Sequence, residues 1–158
     1  SDCAINIHPT EDELVEIAGE SAACAKIFGV DPKVAFLSYS TFGSGKGEDV
    51  DKMRNAAHKA HEKYPELPIE GELQFDAAVS PRVARTKCPE SAVAGHANTF
   101  IFPDINAGNI GYKIAQRLGN FEAYGPILLG LNAPINDLSR GCNASEVYSM
   151  AIITAALA

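Results

Sequence analysis

Five side chains able to bind or activate a ligand, Asn132, Asn136, Asp137, Ser139 and Arg140, fall close together near the C-terminal end. They precede a segment whose Val147, Met150, Ala151, Ile153 and Thr154 predict a helix that is apolar on nearly every side. A guanidinium beside a helix N-terminus is a dianion clamp: Arg140 can pair two phosphate oxygens while unsatisfied backbone N–H groups take the others. Ser139 can donate a hydrogen bond to a developing oxyanion, and Glu146, one turn into the helix, offers a carboxylate base. Asn143 and Glu146 also match a capping box, which asks for no catalytic role, so both readings of Glu146 stand at this point. Cys142 has no histidine near it in sequence and reads as a small buried residue rather than a nucleophile.

Two further loops lie where a predicted strand meets a predicted helix. Gly43-Ser44-Gly45-Lys46-Gly47 has the context for cradling a phosphate on backbone N–H groups, with Ser44 and Gly45 at its centre, or for a plain flexible turn. It is no nucleotide-triphosphate loop, because that pattern needs glycine at Ser40 and a hydroxyl residue at Gly47. Pro103-Asp104-Ile105-Asn106-Ala107-Gly108-Asn109 follows a strand end, where open α/β sheets bind ligands. Asn106 and Asn109 are the candidate contacts there. Asp104 and Asn106 serve equally well as N-caps, and Gly108 as a close-packing position.

These loops need a scaffold of β-α units. Thr10 and Glu13 form a capping box for a first helix running to Gly29, and Val34 to Tyr39 reads as a buried strand. A helix follows over roughly 49–63, then a strand from Ile69 to Phe75. Pro81, Pro89 and Gly95 suggest a loop-rich connection to a strand over 98–102. Ile110, Ile114, Ala115 and Leu118 place an apolar stripe on the next helix, stopped by Gly119. Ile127-Leu128-Leu129 reads as a short buried strand, and the last helix as packed against the sheet. The alternation predicts an α/β fold with a mostly parallel sheet.

With 158 residues, 46% hydrophobic and 21% charged, the chain reads as one soluble domain. No apolar run approaches the roughly 20 residues of a membrane span, so no membrane is expected. A net charge of −7 disfavours nucleic acid and leaves any anion to a local site. Four scattered cysteines and no export signal point to the cytoplasm. His58 and His61 beside Lys59 and Lys63 read as a solvated face, so no metal is expected. The chain opens on Ser1-Asp2-Cys3-Ala4 without methionine, and we expect a piece of a longer protein.

The runs Ala97 to Tyr112 and Gly125 through Asn136-Asp137-Leu138-Ser139-Arg140-Gly141-Cys142 resemble the phosphate acetyltransferase family, more weakly joined by Val34 to Gly47 and Asp76-Ala77-Ala78. The match is to the C-terminal half, with the N-terminal half absent: most of the second domain over 1–158 plus a C-terminal return into the first. The resemblance implies a three-layer α-β-α fold like that of isocitrate and isopropylmalate dehydrogenases, and a homodimer. It implies reversible acetyl transfer between acetyl-CoA and phosphate, giving acetyl phosphate and CoA, in a ternary complex without metal or acyl-enzyme. In its terms Ser139 assists the transition state, Arg140 binds phosphate, and Glu146 deprotonates the CoA thiol where the family usually has aspartate. Asn136, Gly141, Asn106, Asn109, Ser44 and Gly45 are the expected substrate contacts. A phosphate butyryltransferase usually resembles Ser-Arg-Ala-Asp where this chain has Ser139-Arg140-Gly141-Cys142. A regulatory acetyl-CoA-binding or dimerisation module of the same fold typically loses the serine and arginine kept here. The isolated chain is expected to be weak or inactive.

Overall fold

Strand β1 (Val34–Leu37) is buried on both faces, and its alternation divides the core in two. Val34 and Phe36 point to one side, with Ile69 and Ile101 from the neighbouring strands and the apolar faces of two long helices. Ala35 and Leu37 point to the other, with Leu73 and two short helices. The computed structural model describes residues 1–158 and falls into two compact units, Ser1–Gly108 and Asn109–Ala158.

In the first unit β1 is the central strand of a parallel sheet, flanked by β2 (Ile69–Leu73) and β3 (Thr99–Ile101). Helices α1 (Glu11–Ile27) and α2 (Glu48–Lys63) cover one face. The expected capping box starts α1: Glu13 N–H donates to Thr10 Oγ1 at 3.3 Å, and Thr10 N–H to Glu13 Oε2 at 2.8 Å. Lys59 and Lys63 of α2 pair with Glu11, Asp12 and Glu16 of α1, while His58 and His61 are exposed.

The other face is covered by α3 (Phe75–Val79) and α4 (Pro81–Lys87), where the sequence suggested loops. Pro81 does not break structure here because it sits in the first turn, where no N–H is needed, behind the N-cap Ser80. The first unit is therefore a sheet between helical layers, the α/β class expected.

Between β1 and β2 the register slips: Phe36 faces Gly71 but Leu37 faces Leu73, so Glu72 is an extra residue in β2. Gly71 is required there, since a Cβ would lie 2.7 Å from the Phe36 Cβ. Glu72 is only 1% exposed, yet its carboxylate is fully engaged. Oε1 accepts from the Gly43 N–H (2.6 Å) and Ser40 Oγ (2.8 Å), and Oε2 from Arg54 Nε (3.0 Å).

The second unit takes up most of α5 (Ile105–Leu118) and all of α6 (Ala144–Ala156). Its core is thin. The expected stripe on α5 is present, but Ile110, Ile114 and Leu118 are exposed. Ile127 makes one antiparallel bridge with Asn136 instead of entering a buried strand, because the chain around it pairs locally and offers no longer ladder. Helix α6, expected to be buried broadly, buries Met150 alone. No helix is long and apolar enough to cross a membrane.

Burial pushes the Glu72 carboxyl up, but the Gly43 N–H, Ser40 and Arg54 bonds outweigh it and hold it below the usual 4.5. A lowered folded value means stability present above 4.5 and lost as pH falls through the folded value. Glu72→Gln is expected to cost about 1–3 kcal/mol at pH 7, with the deficit shrinking as urea unfolding is repeated below pH 4.5. A deficit independent of pH would contradict the assignment.

Candidate functional site

Asn136 organises the approach to the last helix. Its Oδ1 accepts from the Leu128 N–H (3.0 Å) and its Nδ2 donates to Thr154 Oγ1 (2.8 Å), tying the 127–128 segment and α6 to one side chain. The amide expected to contact substrate thus spends its side chain on holding the loop. Downstream, Cys142 N–H donates to the Ser139 carbonyl (3.0 Å) and Gly141 N–H to Ser139 Oγ (3.3 Å), so residues 139–142 turn tightly into α6.

The capping box at Asn143 is formed. Glu146 N–H donates to Asn143 Oδ1 (3.0 Å), and Asn143 N–H to Glu146 Oε2 (2.9 Å). Only one carboxylate oxygen is used, and Oε1 has no protein partner. The capping and catalytic readings of Glu146 therefore do not compete for the same atom. Ala144 and Ser145 N–H groups stand at the helix start, where the peptide dipoles favour negative charge.

Ser139, Gly141, Cys142 and Glu146 line one concavity of about 140 Å³, together with Leu138, Ala123, Gly125 and Met150. Its remaining wall is a face of α5 bearing Tyr112, Lys113, Gln116 and Arg117. Arg140 is exposed between two lining residues and makes no ion pair. Lys113 and Arg117 were missed by motif reading. Their signal was spacing: two cations at i and i+4, flanking the Ile110–Ile114–Leu118 stripe, in a chain of net charge −7.

The other candidates lie elsewhere. Asn109 is half-buried on α5 and does not line the concavity. Asn106, in the first unit, is exposed in the first turn of α5, where Asp104 does the capping through Ala107 N–H to Oδ1 (3.0 Å). Gly108 is a close-packing position, since a Cβ there would lie 2.1 Å from the Asp2 carbonyl oxygen.

The glycine loop is also in the first unit and holds an anion of its own. Gly43 N–H is taken by Glu72, Gly45 N–H by Ser40 Oγ (2.9 Å), and Ser44 Oγ accepts from Thr41 N–H (3.0 Å). The first turn of α2 carries Glu48, Asp49 and Asp51, which oppose a second anion. No group of three or more His, Cys, Asp or Glu side chains is placed to hold a metal ion.

Residues 1–155 match the family model described as phosphate acetyl/butaryl transferase. The chain is 61% identical to the phosphate acetyltransferase of Bacillus subtilis (strain 168), over all of this chain and 49% of that protein. It is similar to the crystal structure of a phosphotransacetylase from Streptococcus pyogenes (TM-score 0.95, 63% identity, 99% of this chain and 47% of that one). A branched-chain phosphotransacylase from Enterococcus faecalis V583 is more distant (TM-score 0.82, 25% identity, 99% and 56%). The chain spans about half the length of the curated relatives it matches.

The cap itself is testable without any activity. Asn143→Ala is expected to lower stability by about 1 kcal/mol and to fray the start of α6, read by thermal unfolding and by faster amide exchange at 144–147. Unchanged exchange there would show that the box contributes nothing.

Proposed function

Because the chain belongs to the phosphate acetyl/butaryl transferase family, we propose that it supplies the phosphate- and thiol-handling part of an acetyltransferase acting between acetyl phosphate and CoA. The carrying observation is the concavity that joins Ser139 and Glu146 to the cations Lys113 and Arg117, with Arg140 unpaired beside it. Glu146 Oε1 takes the CoA thiol proton, and the thiolate attacks the acetyl carbonyl carbon. The carbonyl oxygen becomes an oxyanion, steadied by the Ser139 hydroxyl. Collapse breaks the C–O bond to phosphate, which leaves held by Arg140 and the first-turn N–H groups of α6 while the new C–S bond remains. The proton passes from Glu146 to phosphate or solvent. The reverse direction uses the same groups.

Lys113 and Arg117 favour phosphate arriving on the α5 side. Gly141 and Asn136 support the site through the backbone turn and the loop tie. Asn109, on α5, enters only as a further contact for a substrate much larger than 140 Å³. Four free cysteines suit a reducing cytoplasm. A homodimer, and residues 1–158 forming most of a second domain with a return segment, complete the proposal. Retention of Ser139 and Arg140 favours catalysis over a regulatory acetyl-CoA-binding module, and Gly141-Cys142 favours acetyl over butyryl transfer.

The test is thioester formation from acetyl phosphate and CoA by the full-length protein carrying this chain, with the isolated chain expected to be weak. Arg140→Ala and Ser139→Ala should each lower kcat by about 10²-fold or more. Glu146→Gln keeps an acceptor for the Asn143 N–H, so it should lose activity without losing stability. No CoA-dependent product, or a rate undiminished by Arg140→Ala, would sink the reading.

A further inference from the structure

Resting on the acetyl-transfer reading above, we propose that Met150 sets the acyl-chain length this site accepts. Met150 follows Glu146 by four residues, so the two share a face of α6, and both line the concavity with Ser139. With the thiol at Glu146 and the carbonyl oxygen at Ser139, the reacting carbon lies between them and its acyl chain must extend to one side. The α5 wall is polar and carries Lys113 and Arg117, which suits the phosphate. The apolar remainder is Leu138, Ala123 and Met150, which suits the chain.

Among these three Met150 is the most deeply buried. It is 3% exposed and is the only buried residue of α6, whereas Leu138 and Ala123 are half-buried. A methionine is unbranched and adaptable, so the limit it sets is graded.

In the full-length protein carrying this chain, kcat/KM with CoA is compared for acetyl, propionyl and butyryl phosphate. Met150→Ala should raise the butyryl-to-acetyl ratio about 10-fold or more, and Met150→Val by a smaller factor, with propionyl between. The Val variant guards against a cavity that unfolds the Ala variant. Folded variants that still transfer acetyl groups at a ratio within about twofold of the parent overturn the proposal. So does failure of both variants to fold, which would make Met150 a core residue only. An unsubstituted enzyme that transfers no acyl group to CoA sinks the acyltransferase reading itself, and this proposal with it.

Discussion

A buried carboxylate needs full compensation, and Glu72 obtains it from three directions. The extra residue in β2 turns Glu72 out of the ladder, Ser40 and Gly43 reach it from the loop after β1, and Arg54 reaches it from α2. Without that charge the Gly43 N–H and the Ser40 hydroxyl of the loop between β1 and α2 would be short of an acceptor. Strand, loop and helix of the first unit are thus located by one side chain, and the apolar layers on either face of β1 fill in around it.

This constraint also explains why a glycine-rich strand-to-helix loop need not be a phosphate cradle. The geometry that welcomes an external anion welcomes an internal one equally well. Once Glu72 sits there, Gly43 and Gly45 have their N–H groups occupied, and the acids at the start of α2 add repulsion.

The second unit is built on different terms. It buries little apolar surface, and its loops are held by polar ties: Asn136 between the 127–128 segment and α6, and the Asn143–Glu146 box at the start of α6. In the box, the geometry that orders the helix also fixes where the Glu146 carboxylate stands, leaving one oxygen over. A structural role and a chemical one can reside on the two oxygens of a single group.

Local patterns were legible in the sequence because their causes are local. The Thr10–Glu13 and Asn143–Glu146 boxes, the apolar run of β1, the helix after the glycine loop and the Ser139-Arg140 motif all depend on residues a few positions apart. Pro81 misled because its effect depends on where in a helix it falls, and 127–129 misled because a buried strand needs neighbours that the short apolar run could not announce. What tertiary structure alone decided was pairing at a distance: Glu72 with the loop around Ser40, Asn136 with Thr154, and Lys113 and Arg117 with Ser139 across one concavity. Sequence determined which chemical groups the chain carries and which helices and strands hold them, since those follow from periodicity and capping. Which groups face each other was decided by packing, since burial and charge compensation are settled only when distant segments meet.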